Sequence, residues 1–367
     1  TTGFRVGSNY LKFYSKNLLQ GEPDREALDE ANAKDIYDGI KTLRGSVLKV
    51  AQMLSMEKNL LPKAYVEQFG LAQFSVPPLS GPLVTRLIRK YLGASPEVLF
   101  DTFTIQSINA ASIGQVHRAT KNGKKLAVKI QYPGVANSIG SDIAIVKPIA
   151  ERMFNLRGKA SSKYFKEVEE RLLEETDYTI ELENSRFFGS QCAHISNLIF
   201  PNYYPEWSNQ KILTMDWMVG EHLSEYCRKN DNSRKVNDKL GQTLWDFYMF
   251  QIHQLKKVQA DPHPGNFLVS EQFQLVAIDF GCIKTIPEDF YVPYFELSKP
   301  QNIADDLKFD SLLYTLEILK QEDNSKEKEF FTSLFKEMML LFTTPFHQET
   351  FDFGNDSFGE AITNLTK

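Results

Sequence analysis

The sequence predicts an α+β fold of two lobes with a helical N-terminal extension. Three observations carry this. Residues 103–130 read as strand, small-residue loop, strand, turn and strand, the last being Leu126-Ala127-Val128-Lys129-Ile130. Helical periodicity flanks that region on both sides, in residues 34–56 and again in 236–259. Between the second helical stretch and the C-terminal part lies a polar loop, Asp261-Pro262-His263-Pro264-Gly265-Asn266. It is followed by a buried-strand signature, Leu275-Val276-Ala277-Ile278, and then Asp279-Phe280-Gly281.

Composition narrows the class. At 367 residues and 42% hydrophobic content the chain can bury a sizeable core. Its net charge of −5, with no long basic block, argues against nucleic acid as a partner. Cys192, Cys227 and Cys282 form no C-x-x-C pair, which fits a reducing compartment and speaks against structural zinc. No run of about 18 apolar residues occurs, so no membrane-spanning helix is expected.

The polar loop and the D-F-G that follows resemble the catalytic centre of the protein-kinase fold. There, a loop aspartate stands by the attacking hydroxyl, and an asparagine at D-x-x-x-x-N spacing holds a metal. The D-F-G aspartate holds the metal bridging the ATP phosphates. Asp261, Asn266 and Asp279 stand at those places. Phosphoryl transfer consists largely of charge neutralisation and positioning, so hard oxygen ligands on short loops suit it. The alternative is a Pro/Gly turn leading into a hairpin. A second D-F-G, Asp352-Phe353-Gly354, has neither a catalytic loop nor an apolar strand before it and reads as chance.

Taken in order, residues 1–33 mix Phe4, Tyr10, Phe13 and Tyr14 with basic residues, as an amphipathic helix lying on the protein or on a membrane surface would. In 34–56, Ile36, Ile40, Leu43, Val47, Val50 and Leu54 make one apolar stripe, with Lys49 and Gln52 on a neighbouring face. Prolines break 57–101 into short helices. Ala110, Ala111 and Ser112 then form the small-residue loop, where backbone can approach a phosphate, and Lys129 matches the strand lysine that pairs with ATP phosphates. A helix from Ser161-Ser162 runs through Phe165, Val168 and Leu172 towards Leu182. It places Asp177 and Glu181 on one face, with Glu175 off it, and supplies the carboxylate that Lys129 needs. Residues 211–220 read as a strand and hinge, with Met215 behind the adenine and backbone groups of Asp216 and Met218 at its edge. His263 reads as structural rather than metal-ligating. After Gly281 the chain reaches Pro287 with no A-P-E, too short for a peptide-substrate platform. In 330–342, Phe330, Phe331, Leu334, Phe335, Met338, Leu341 and Phe342 form a wide apolar face, expected as a core helix with a lipid surface as the alternative.

Together these pieces resemble the UbiB family of atypical protein-kinase-like ATPases over residues 35–300. Lys49-Val50-Ala51-Gln52 resembles its K-x-G-Q motif, Asn109-Ala110-Ala111-Ser112 its Ala-rich nucleotide loop, and Glu175-Thr176-Asp177 its E-x-D motif. The resemblance implies a two-lobed protein-kinase-like fold whose N-terminal extension packs over the active site. It implies domains at 1–101, 102–218 (small lobe) and 219–367 (large lobe). It implies Lys129 paired with Glu181, Asp261 as the catalytic aspartate that orients or deprotonates the nucleophile, Asn266 and Asp279 as metal ligands, and Lys49, Gln52, Glu175 and Asp177 as regulatory residues. The implied cofactors are ATP and Mg²⁺, with Mn²⁺ as an alternative. Implied partners are a lipid or quinone precursor, a membrane surface and a biosynthetic complex, in the cytoplasm or an organelle matrix. A small-molecule or lipid kinase, and a nucleotide-gated lipid-binding scaffold, are the alternatives. Two departures stand out: Ala51 replaces the K-x-G-Q glycine, and Asn109 replaces the first alanine of the loop.

Overall fold

The computed structural model describes residues 78–110, 113–153, 159–229 and 233–365. The helical stripe of 34–56, with Lys49 and Gln52, lies outside the described residues, as do Ala111 and Ser112. The chain folds as two compact units. One runs to Gln254 and adds Gln259–Ile283; the other comprises Leu255–Val258 and Lys284–Lys367.

The first unit opens with α1 (Gly81–Leu92) and α2 (Pro96–Leu99), each with proline in its first turn. Proline is tolerated there because the first-turn N–H groups have no helical acceptor. Gly93 ends α1 at φ 83°, a left-handed position that costs glycine nothing. Val84, Leu87 and Ile88 bury one face of α1 against Leu126, Val128 and Ile130.

A five-stranded antiparallel sheet follows, ordered β1 (Thr102–Phe103), β3 (Gly114–Lys121), β4 (Lys124–Gln131), β6 (Ile212–Asp216), with β2 (Asn109–Ala110) also on β3. β3 and β4 form a hairpin closed by Asn122 (φ 52°) and Gly123 (φ 76°). Left-handed residues at both places make the two-residue turn whose twist matches the strands. The strand-turn-strand expectation for 114–131 is met here.

Behind the sheet come α3 (Val135–Met153), α4 (Lys159–Glu175) and α5 (Tyr178–Gln191). The single helix expected from Ser161-Ser162 towards Leu182 is two. The Thr176 hydroxyl donates to the Leu173 carbonyl at 2.7 Å, and Asp177 Oδ1 accepts from the Thr179 N–H at 2.9 Å, capping α5. A polar pair that bonds its own backbone stops one helix and starts the next. The single-helix spacing that placed Asp177 and Glu181 on one face therefore does not apply.

A second sheet is ordered β5 (Leu198–Ile199), β10 (Leu275–Ala277), β9 (Phe267–Val269), β7 (Glu221–His222), with β5 parallel to β10 and the other pairs antiparallel. The short α6 (Leu223–Tyr226) follows β7. α7 (Arg234–Phe250) buries Leu240, Thr243 and Phe247, and passes through a π-helical turn, Gln251–Leu255, into β8 (Lys257–Gln259).

In the second unit, β11 (Ile283–Thr285) leads to α8 (Glu288–Leu297), α9 (Pro300–Ala304), α10 (Asp306–Thr315), α11 (Ser325–Thr343) and α12 (Asp356–Leu365). Asn324 and Glu327 form a reciprocal capping box at the start of α11. The expectation of a core helix holds for one side of α11 only. Phe331, Phe335 and Met339 pack on Leu297, Phe309 and Leu313, whereas Phe330 stays 61% exposed and Leu340 56%. The Asp352 carboxylate accepts from the Gly354 N–H, so the second D-F-G is an isolated turn with no strand leading into it. Among the described residues no helix is long and apolar enough to cross a membrane.

Candidate active site

Lys129 sits on β4 between Val116 of β3 and Leu213 of β6. Its Nζ lies 3.0 and 2.9 Å from the two Glu181 carboxylate oxygens and 3.5 Å from Asp279 Oδ2. Glu181 is buried in the first turn of α5. Burial disfavours the Lys129 charge, yet Asp279 and Glu181 outweigh it and hold the ammonium well above its ordinary range. Burial also pushes the Glu181 carboxyl up, to about 7, against the pull of Lys129. The structure thus brings together three of the residues named from sequence.

The same helix secures the D-F-G segment. Phe280 is fully buried and stacks on Phe188 of α5 with ring centroids 5.1 Å apart. Asn184 Nδ2 donates to the Phe280 carbonyl at 3.3 Å, and Asp279 Oδ1 accepts from the Gly281 N–H at 2.9 Å. The catalytic-type loop is tied to this segment by backbone: the Ala260 N–H donates to the Cys282 carbonyl, and the Ile278 N–H to the Asn266 carbonyl. Asn266 Nδ2 donates to the Asp261 carbonyl at 3.0 Å, fixing the loop's width. His263 Nδ1 accepts from the Gly265 N–H at 3.0 Å, the structural role expected for it. Asp261 Oδ1 is buried without a hydrogen-bond partner.

Sequence reasoning did not single out the polar side chains behind this loop. Gln259 Nε2 donates to the Asp279 carbonyl at 2.5 Å, and its Oε1 accepts from the Tyr248 hydroxyl at 3.1 Å. The Gln251 Oε1 accepts from the Gln259 N–H at 2.8 Å. Gln251 opens the π-helical turn, a departure from α-geometry that recurs beside functional sites. The only sequence signal was the run of three glutamines, Gln251, Gln254 and Gln259, just ahead of the loop.

On the nucleotide side, Ala110 pairs with Gln115 in the sheet. A Cβ on Gly114 would meet the Ile130 carbonyl oxygen at 2.5 Å and the Tyr178 hydroxyl at 2.8 Å, so only glycine fits. Met215 pairs with Ala127 at the end of β6. At Asp216, the N–H donates to the Asn202 carbonyl at 2.8 Å, and the carboxylate accepts from Tyr204 and Asn202. Its amide is therefore spent, leaving the Met218 N–H as the candidate donor at an adenine edge. Glu175 ends α4 and Asp177 caps α5.

The donor set suits a hard cation shared with phosphates. Among the described residues no cluster of three or more His, Cys, Asp or Glu could hold a metal alone. Mg²⁺ is commonly held by one or two protein oxygens plus phosphates and water, which Asp279 and Asn266 would supply.

A family model described as the ABC1 atypical kinase-like domain matches residues 71–308. The chain is 30% identical over 291 residues to Protein ACTIVITY OF BC1 COMPLEX KINASE 8, chloroplastic, of Arabidopsis thaliana, covering 77% of this chain and 38% of that protein. It is 27% identical to Atypical kinase COQ8B, mitochondrial, of Danio rerio over 93% of this chain and 54% of the relative. It is 28% identical to Probable protein kinase UbiB of Haemophilus ducreyi over 66% of this chain and 47% of the relative. The chain thus spans about half or less of the length of these relatives. The structure of the Rv3197–erythromycin complex from Mycobacterium tuberculosis superposes with a TM-score of 0.61 at 25% identity, covering 92% of this chain and 85% of that one. The chain belongs to the ABC1 atypical kinase-like family.

Proposed function

We propose that this member of the ABC1 atypical kinase-like family binds Mg²⁺-ATP and turns it over in support of quinone or isoprenoid-lipid metabolism. The work would be done at a membrane surface, in the cytoplasm or an organelle matrix. The observation that carries the nucleotide reading is the cluster of Lys129, Glu181 and Asp279 beside Asp261 and Asn266. Glu181 would aim the Lys129 ammonium at phosphate oxygens, and Asp261, with an unpartnered carboxylate oxygen, would accept the proton of the attacking hydroxyl or water. A bound Mg²⁺ would neutralise phosphate charge. Asp279 and Asn266 would hold it.

We further propose the division into an extension (1–101), a small lobe (102–218) and a large lobe (219–367). In it, Ala110, Ala111, Ser112, Met215, the Asp216 carbonyl and the Met218 N–H would line the nucleotide. Lys49, Gln52, Glu175 and Asp177 would regulate access. The lipid link rests on resemblance to UbiB-type proteins and on relatives named mitochondrial or chloroplastic.

A second reading, a kinase for a small molecule or lipid, is favoured by one observation. After Gly281 the chain makes β11 and by Glu288 is already in α8, with no long segment to seat a peptide.

The test is phosphate release from Mg²⁺-ATP, with and without anionic or quinone-containing liposomes. Turnover that rises with liposomes and vanishes in Asp279→Asn is the expected result. ATP binding without turnover above that variant would overturn the enzymatic reading. A phosphorylated lipid or small product would select the second one.

A further inference from the structure

Tyr178 is the first residue of α5 and is 1% exposed, yet its hydroxyl has no hydrogen-bond partner. An unpartnered hydroxyl inside a protein carries a desolvation penalty with nothing to offset it. A phenylalanine of nearly the same shape would avoid that penalty. The position of the hydroxyl indicates what it is kept for.

Two contacts locate it. The Tyr178 hydroxyl stands 2.8 Å from where a Gly114 Cβ would be, and Gly114 is the first residue of β3 after the Ala-rich loop. The Lys129 Nζ lies 5.0 Å from the centre of the Tyr178 ring, within reach of a cation–π attraction. One turn along α5 from Tyr178 is Glu181, which holds the same ammonium. Tyr178 thus stands between the start of β3 and Lys129, packed among Ile113, Tyr132, Val135 and Leu213. Its ring faces the lysine and its O–H is directed at the start of β3.

We propose that the Tyr178 hydroxyl is a phosphate donor: it hydrogen-bonds a phosphate oxygen of the bound nucleotide between Lys129 and the start of β3. The inference rests on the ATP reading above. The ligand class is a nucleoside di- or triphosphate, since the lysine side of the pocket supplies positive charge and the hydroxyl a neutral donor. The ring would keep the Lys129 ammonium from turning away when nucleotide is absent.

Two variants separate the functions of ring and hydroxyl. Tyr178→Phe keeps the ring and removes only the O–H. Tyr178→Leu removes both. The readouts are the Mg²⁺-ATP, Mg²⁺-ADP and adenosine dissociation constants by calorimetry, with kcat and KM for phosphate release. The expected result for Tyr178→Phe is about tenfold weaker binding of ATP and ADP, with adenosine binding unchanged. A hydrogen bond to a charged group is of that size. Tyr178→Leu should lose kcat as well. A wild-type protein that binds ATP, with a Tyr178→Phe variant that binds it equally well, overturns this inference and leaves the ATP reading standing. A wild-type protein that binds no nucleotide overturns both. A parallel tenfold loss for adenosine shows that the hydroxyl serves the fold and not the phosphates, and also overturns the proposal.

Discussion

Phe280 stacks on Phe188 at an interplanar angle of 24°, and Phe188 belongs to the same helix that presents Glu181 to Lys129. The D-F-G segment and the Lys129 partner are therefore joined through one rigid element. Both rings are fully buried, so the coupling is a packing contact with no solvent to loosen it. Replacing Phe188 by Leu should destabilise the fold by about 1–3 kcal/mol from imperfect filling of the ring's space. It should lower kcat more than it raises KM for ATP, because the aspartate and the lysine lose their shared reference. Urea unfolding and steady-state phosphate release would check both halves.

Glu181→Gln removes the charge that faces the Lys129 ammonium and keeps the side chain's shape. Losing one partner of a buried pair costs roughly 3–5 kcal/mol. Asp279, 3.5 Å from the same ammonium, keeps the loss below that. Turnover of ATP is expected to fall at least about tenfold, because a lysine held only by Asp279 competes with the metal for that carboxylate. Retention of full turnover in a folded Glu181→Gln protein would remove the ion pair from the mechanism.

Gln259→Met breaks the bond to the Asp279 carbonyl and leaves the Tyr248 hydroxyl without its acceptor. The stability loss should be about 1–3 kcal/mol, the cost of a buried polar group left unmade. The apparent affinity for Mg²⁺ in the turnover assay should drop, since the segment carrying Asp279 loses one of its ties to the loop. An Mg²⁺ titration of the variant against the unaltered chain decides this.

His117 makes a pH-dependent contribution whose sign is set by its surroundings. It is fully buried, its Nδ1–H donates to the Thr104 carbonyl at 2.9 Å, and its Nε2 accepts from Gln115 Nε2 at 2.8 Å. Gln115 in turn accepts from the Leu79 N–H. This chain needs the neutral ring. Burial lowers the imidazole pKa, opposed by the Thr104 carbonyl. A depressed histidine contributes stability above the unfolded value of about 6.5, and loses it as pH falls through the folded value. Thermal melts between pH 7.5 and 5 should show a decline that His117→Asn, measured over the same range, lacks.

The chemistry of the site was legible in the sequence because it is written at short range. Asp261, Asn266 and Asp279 sit on one loop and the strand after it, and Lys129 is announced by its strand context. The hairpin of β3 and β4 was legible for the same reason, since Lys121 to Gly123 carry their own turn chemistry. The helix break at Thr176-Asp177 had a local signal in the capping aspartate, but apolar periodicity on both sides masked it.

What the sequence determined by itself was the fold class, the family, and the lysine and acids that gather at the candidate site. Those follow from residue types and spacings that few other structures can satisfy. The tertiary structure alone decided that Lys129 also meets Asp279, that the Asp216 amide is already spent on Asn202, and that Gln259, Tyr248 and Tyr178 stand behind the site. Those partners lie far apart along the chain. A hydrogen bond between them carries no periodicity, and only packing brings donor and acceptor within 3 Å.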